Sequence, residues 1–302
     1  MLGGVPDRVV SMPHELFDTF FQGQAREFLL TTIRTALAED GPDLTSDAVF
    51  GAESGMNAVI VAKEHGVMAG LPIVPLVLAE VAAQESWQVE YAAEDGQRLA
   101  PGQTVVRLRG PAAALLRAER TALNFLCHLS GVATATASYA QRLAGTRTRL
   151  LDTRKTLPGL RYPEKYAVRI GGGRNHRMNL MEMLMLKDNH IDRAGSITRA
   201  VELLRAAYVP CPPIEVECRT LEEVREATGL GISRIMLDNM GPEAMAQALA
   251  LVPPGIETEV SGGVNLETIG AIGRLGPDFV SVGALTHSAK ALDLSMRVLK
   301  AS

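Results

Sequence analysis

Cations grouped with glycines, and carboxylates set apart from them, are the residues of this sequence best able to do chemistry. Asp152-Thr153-Arg154-Lys155 precedes a Pro158-Gly159 turn. An arginine fork makes two parallel hydrogen bonds to a carboxylate, and lysine serves carboxylate or phosphate as a point charge. An ion pair with Asp152 is the competing use. Gly171-Gly172-Gly173-Arg174-Asn175-His176-Arg177 joins three glycines, which let backbone approach a ligand, to donors on His176 and Arg177. It is neither a Walker loop nor a dinucleotide fingerprint, and a plain glycine-rich surface loop has the same composition. Lys187 adds a third fixed cation. Glu217 and Asp238 are separated carboxylates that suit sugar hydroxyls, or Mg2+ held through waters, or pairing with the cations. Ser261-Gly262-Gly263 and Ser281-Val282-Gly283-Ala284-Leu285-Thr286 offer backbone N–H groups to phosphate, or are tight turns with no ligand.

These groups share one kind of position. Apart from Gly171 to Arg177, each follows a short apolar run: Arg149 to Leu151, Met183 to Leu186, Ile214 to Val216, Arg234 to Leu237, Glu257 to Val260 and Phe279 to Val282. Helical patterns separate most of the runs, which implies parallel strands with crossover helices, buried on both faces. In a closed barrel the strand ends converge on one mouth, whereas in an open doubly wound sheet they spread along an edge. The repeated placement of polar residues at strand ends therefore favours a barrel of fewer than eight strands. The first 110 residues read as mixed α and β, with strands over 56–62, 87–91 and 104–108 and a helical spacing from Phe20 to Leu37. Pro111 opens a long helical pattern through Leu126, and Gly131 is expected to break it before a second helix ends near Gly145.

The chain has 302 residues, 47% hydrophobic and 21% charged, enough for two domains or a barrel with an appendage. It contains no apolar run long enough for a membrane span and no secretory pattern over Met1 to Ser11, so a cytoplasmic location is expected. The 3 cysteines, Cys127, Cys211 and Cys218, have no metal-site spacing and read as reduced and mostly buried. A net charge of -4 argues against nucleic acid as partner. From Arg149 to Lys187, however, nine Lys/Arg face three Asp/Glu, which suggests a small anionic ligand.

At these residues the sequence resembles the quinolinate phosphoribosyltransferase family, also called nicotinate-nucleotide pyrophosphorylase (carboxylating). The matching strings are Glu119 to Asn124, Thr153 to Arg161, Lys165 to Arg169, Gly171 to Arg177, Lys187 to Ile191, Glu215-Val216-Glu217, Leu237-Asp238-Asn239, Ser261 to Gly263 and Ser281 to Leu285, in family order over nearly the whole chain. The resemblance implies an α/β protein of the type II phosphoribosyltransferase kind. Its parts are an N-terminal α/β sandwich domain over 1–123, joined by a C-terminal helix at 287–302, and an incomplete α/β barrel of about six parallel strands over 124–286. It implies a homodimer, with a hexamer as a larger assembly, in which Arg120 reaches the site of the other subunit.

The same likeness implies transfer of phosphoribosyl from phosphoribosyl pyrophosphate to quinolinate, with decarboxylation to nicotinate mononucleotide and Mg2+ as cofactor. Arg154, His176, Arg177 and Lys187 would hold the quinolinate carboxylates. Lys155 would lie near the pyrophosphate, and Glu217 and Asp238 near the ribose and Mg2+. The 5-phosphate would rest on Gly262, Gly263, Gly283, Ala284 and Leu285, beside Ser261. Lys155, Lys187, Glu217 and Asp238 are the expected catalytic set. Rival readings are a paralogue that takes nicotinate and a non-catalytic sensor of the dicarboxylate. No DNA-reading motif supports the sensor. A type I phosphoribosyltransferase is disfavoured because Leu237-Asp238-Asn239 offers one acid where a pair is needed.

Overall fold

The computed structural model describes residues 8–11, 15–50 and 54–300. Much of the N-terminal stretch read for a secretory signal lies outside them. The chain divides into two compact units, 1–136 with 157–172 and 288–302, and 137–156 with 173–287. Among the described residues no helix is long and apolar enough to cross a membrane.

In the first unit the strands are β1 (Arg8–Ser11), β2 (Gly55–Ala62), β3 (Gly66–Val67), β4 (Trp87–Tyr91), β5 (Arg98–Leu99) and β6 (Thr104–Pro111). Trp87, Val89 and Tyr91 of β4 are buried while Gln88 and Glu90 are exposed, the alternation of a sheet with one covered face. Tyr166, fully buried, meets the edges of Phe17 and Phe20, and its hydroxyl donates to Asp95 at 2.6 Å. Asp95 also accepts the backbone N–H groups of Gly70 and Leu71, so the Glu94-Asp95-Gly96 turn is tied down by one carboxylate.

The helix Ala112–Arg142 starts directly after Pro111 and runs unbroken for 31 residues. Gly131 does not break it, contrary to the expectation from sequence. Intrahelical hydrogen bonding carries through a single glycine at a cost of about 1 kcal/mol. The glycine serves packing instead: a Cβ there would overlap the backbone carbonyl of Lys290.

The second unit holds β7 (Arg149–Leu151), β8 (Leu184–Leu186), β9 (Ile214–Cys218), β10 (Arg234–Asp238), β11 (Glu257–Ser261) and β12 (Phe279–Ser281), paired in the order β7-β12-β11-β10-β9-β8, all parallel. From β8 to β12 the chain adds strands in one direction, and β7, the first strand, pairs with the last. First beside last is the order of a barrel; a doubly wound sheet reverses direction partway. The seam between β7 and β8 stays unpaired, and Arg174 lies along its β7 side: its N–H donates to Leu150 at 2.8 Å and its carbonyl accepts from Asp152 at 3.1 Å. Two of the helices between the strands are capped by side chains, where Ser196 accepts from Arg199 N and Thr220 from Glu223 N.

A final strand, β13 (Leu294–Val298), pairs antiparallel with β2 in the first unit, whose sheet order is β1-β4-β6-β2-β13. The expected C-terminal helix over 287–302 is therefore corrected to a four-residue helix at Ala284–His287 followed by a strand. Leu294, Met296 and Val298 recur with period two, and β2 has a free edge that satisfies their backbone.

The barrel strands also differ from the uniformly apolar reading. Val216, Ile235, Leu237, Val260 and Val280 form one apolar set, fully buried. The alternate positions carry Glu215, Glu217, Arg234, Glu259 and Ser261, and the contacts among Glu215, Arg234 and Glu259 put them on one common face, the interior. Arg234 Nη1 lies 2.9 Å from Glu259 and 3.9 Å from Glu215, and its guanidinium stacks 4.2 Å from the centre of the Phe279 ring. Burial, reinforced by Glu215, pushes the Glu259 carboxyl from its ordinary 4.5 up to about 7.

Two outcomes follow for stability. Gly131→Ala forces the added methyl against backbone and lowers unfolding free energy by about 1–3 kcal/mol, read from denaturant midpoints at unchanged m-value. The second concerns pH. Unfolded, Glu259 loses its proton near 4.5; folded, it keeps it to about 7. Between those values the native state binds more protons, so this group's contribution is full below 4.5 and is lost as pH rises through 7. Glu259→Gln thus loses less stability than the parent chain on going from pH 5 to about 8, and equal losses in denaturant titrations would show Glu259 already ionised at pH 5.

Candidate active site

Strand ends of the second unit bring the expected residues to one mouth. Asp152, just after β7, is fully buried and accepts the backbone N–H of His176 at 2.8 Å and the Asn175 amide at 2.7 Å. This carboxylate therefore shapes the Asn175-His176-Arg177 segment. Arg174, between the glycines and His176, is exposed; its backbone makes the seam contact.

Three cations are anchored differently. Lys187 Nζ lies 3.0 Å from Glu217 Oε2, joining the ends of β8 and β9. The Arg177 guanidinium donates to the Met183 carbonyl at 2.8 Å. Burial, then the nearby charge of Arg154, lowers the affinity of Arg177 for its proton. Arg154 itself has a buried Nε with no hydrogen-bond partner among the described residues. Two guanidinium groups near enough to oppose each other, one with an orphaned buried donor, make a setting that a planar carboxylate relieves.

His176 is buried, and its ring faces protein groups. The Arg177 N–H donates to Nδ1 at 2.7 Å, and Nε2 lies 3.2 Å from Glu215 and 3.6 Å from Glu259. The expected direct hold of His176 on a substrate carboxylate thus gives way, in this geometry, to a hold on Arg177. His190 caps its own helix, accepting the Lys187 N–H at 3.0 Å.

Across the mouth, Lys155 is exposed and its carbonyl accepts the Thr286 hydroxyl at 2.8 Å. Its aliphatic stem passes 3.0 Å from where a side chain on Gly283 would begin, so this lysine lies over the Gly283-Ala284-Leu285 turn. The second phosphate candidate also needs its glycine: Gly262 has φ +90° and a Cβ there would overlap the Asn239 side chain. Asn239, at φ 52°, donates its amide to Asp238 at 2.8 Å and its N–H to the Ser261 carbonyl at 3.0 Å. Ser261, Gly262 and Gly263 are thereby coupled to Asp238 on the adjacent strand. Arg120 belongs to the first unit, exposed on the helix Ala112–Arg142, with no hydrogen bond or ion pair to another described residue.

Glu217 and Asp238 are oxygen donors at adjacent strand ends, each with one oxygen already engaged, by Lys187 and by Asn239. A hard cation that retains its waters fits such a pair. His176, Glu215 and Glu259 also bring ligand-type atoms within 4.8 Å of one another. There the Arg234 guanidinium, 2.9 Å from Glu259, already supplies the positive charge.

Reading the sequence for strand ends alone missed the roles of Arg234, Glu215 and Glu259, which lie one or two turns of the pleat deeper. The available signal was charge at period two inside otherwise apolar runs: Glu215 with Glu217, and Glu257 with Glu259. The cysteines are free, Cys218 buried and Cys127 and Cys211 partly so.

Residues 43–130 match the N-terminal domain, and residues 132–297 the C-terminal domain, of quinolinate phosphoribosyl transferase. The chain is 41% identical over 271 residues to the nicotinate-nucleotide pyrophosphorylase (carboxylating) of Mycobacterium leprae, covering 88% of this chain and 95% of the relative. It is 44% identical over 256 residues to the probable enzyme of that name from Bacillus subtilis, covering 85% and 88%. Its fold superimposes on NadC from Streptococcus pyogenes with a TM-score of 0.86 at 41% identity, over 92% of this chain and 100% of the other. A chain that matches both domains, this fold and these relatives along most of its length belongs to the quinolinate phosphoribosyltransferase family.

Proposed function

We propose that this protein transfers phosphoribosyl from phosphoribosyl pyrophosphate to quinolinate and releases pyrophosphate and CO2, forming nicotinate mononucleotide for NAD biosynthesis. The observation that carries the reading is the opposed pair Arg154 and Arg177 beside Lys187 at one barrel mouth. Two adjacent ring carboxylates match several fixed cations better than the single carboxylate of nicotinate does.

In this reading Arg154, Arg177 and Lys187 hold the carboxylates, with His176 acting through Arg177. Backbone N–H groups at Gly262-Gly263 and Gly283-Ala284-Leu285 receive the 5-phosphate, beside Ser261. Lys155, above the second of these turns, faces the pyrophosphate. Glu217 and Asp238 hold the ribose hydroxyls and, through water, Mg2+, which when bound offsets the charge of the pyrophosphate.

The pyridine nitrogen bonds to C1 of the ribose as the C1–O bond to pyrophosphate breaks. The ring is then cationic and stabilises an electron pair at C2. The C2–carboxylate bond breaks, CO2 leaves, and an ammonium proton from Lys155 or Lys187 completes C2. What the chain supplies is position and charge.

We place the protein in the cytoplasm as a homodimer, three of which would form a hexamer, with Arg120 of each subunit completing the other's site. Support for the crossing is the exposed Arg120 without an ion-pair partner among the described residues of its own chain. Incubation with Mg2+, phosphoribosyl pyrophosphate and ring-labelled quinolinate is expected to yield nicotinate mononucleotide and CO2, with nicotinate inert. Tight quinolinate binding without turnover would leave the sensor reading, and turnover of nicotinate would reassign the substrate. For the crossing, Arg120→Ala and Lys187→Ala are each expected to be nearly inactive. Subunit exchange between them regains about 25% of parent activity, because half the dimers are mixed and each mixed dimer has one intact site. No recovery after verified exchange means that Arg120 serves its own subunit.

A further inference from the structure

Three groups below the mouth take no part in the chemistry above: Glu215 and Glu259, both with no exposed surface, and the partly buried Arg234, which also pairs with the exposed Glu257 at 2.8 Å. Two carboxylates without water are costly unless paired, and one guanidinium serves both, at 2.9 Å from Glu259 and 3.9 Å from Glu215. Such a cluster needs a reason beyond stability, since apolar residues of similar size fill a barrel at no such cost. What it touches on the mouth side is His176, whose Nε2 is 3.2 Å from Glu215 and 3.6 Å from Glu259.

The opposite ring nitrogen defines the consequence. Because the Arg177 N–H donates to Nδ1 at 2.7 Å, Nδ1 carries a lone pair and the ring proton sits on Nε2. A proton on Nε2 is favoured by the carboxylates it faces. Were the proton to move to Nδ1, it would oppose the Arg177 N–H and leave Nε2 with a lone pair against two carboxylates.

We propose that Glu215 and Glu259, clamped by Arg234, are positioning residues for the dicarboxylate substrate: they hold His176 in the Nε2–H tautomer so that Nδ1 fixes the Arg177 backbone and the height of its guanidinium. This rests on the assignment of quinolinate as substrate. The relay is short: Glu259 and Glu215 to His176, His176 to the Arg177 N–H, and Arg177 to the carboxylate. Asp152 holds the same segment from the other side through the His176 N–H. The guanidinium is thus located by two buried acids and not by its own side-chain contacts alone.

A metal ion at His176, Glu215 and Glu259 is the competing use of the cluster. Arg234 argues against it, because its guanidinium lies in contact with the carboxylate oxygen a cation would take.

The test compares the full-length parent with Glu259→Gln and Glu215→Gln. Steady-state kinetics is expected to show KM for quinolinate raised roughly tenfold, the scale on which outer partners of a binding group act. The KM for phosphoribosyl pyrophosphate and kcat stay within about twofold, which a general loss of structure does not produce. Glu259→Asp recovers part of the loss. In parallel, NMR of protein with 15N-labelled histidine rings, without substrate, is expected to show His176 as the Nε2–H form in the parent and a mixture in the variants. An unchanged tautomer, or unchanged quinolinate KM, in a folded variant overturns the proposal. So does a tautomer change caused by added Zn2+ or Mn2+ at the cluster. Should one glutamine variant not fold, the other carries both readouts. Absence of quinolinate turnover by the parent would refute the substrate assignment, while the NMR still reports whether the carboxylates fix the ring.

Discussion

A guanidinium enclosed by β-strands sets the character of this barrel. Arg234 stands on the Phe279 ring and binds Glu259, with Glu215 close by, so the interior layer below the mouth is ionic where small parallel barrels are commonly filled by branched apolar side chains. Without the arginine, Glu215 and Glu259 would be two uncompensated acids in a space without water. Even with it, burial pushes both up to about 7. The outer faces of the same strands supply the hydrophobic energy: Val216, Ile235, Leu237, Val260 and Val280 are fully buried. The apolar half of each strand holds the fold, which leaves the other half available for charge.

The unpaired seam between β7 and β8 is the second constraint. A barrel of six strands leaves an edge, and edges must be managed. Here the Arg174 backbone donates to Leu150 of β7 and accepts from Asp152 just after it, which draws Asn175, His176 and Arg177 in over the interior layer. Asp152 then fixes the segment through the His176 N–H and the Asn175 amide. The seam contact therefore delivers the histidine to the buried acids and the arginine to the mouth.

The legible part of this protein was the part with local cause. Six short runs followed by polar residues are six observed strands, because strand ends and turn chemistry are written in neighbouring residues. The positions of Arg154 and Lys187 just past β7 and β8 were legible for the same reason. Three things were not. Gly131 looks like a helix breaker until the Lys290 backbone, 159 positions away, explains it. Residues 294–298 are a strand because β2 offers an edge, and no local spacing states that. Glu215 and Glu259 read as the polar margin of apolar runs, since three or five residues cannot show which face of a strand meets helices and which meets the barrel interior.

The electrostatic design of the mouth follows from how unequally its cations are held. Lys187 is paired with Glu217 before any ligand arrives, so a ligand there must compete with an existing ion pair at 3.0 Å, partly open to solvent. Arg177 is held by a backbone carbonyl and by the His176 relay, with its charge opposed by Arg154. Arg154 brings a buried donor that no described residue accepts from. An anion that bridges the two guanidinium groups removes both penalties together, and a single carboxylate off that axis removes at most one. In the proposed site, discrimination would rest less on the number of positive charges than on the opposition of Arg154 and Arg177. The place of Arg177 in it follows from its backbone N–H on His176 and from its hold on the Met183 carbonyl.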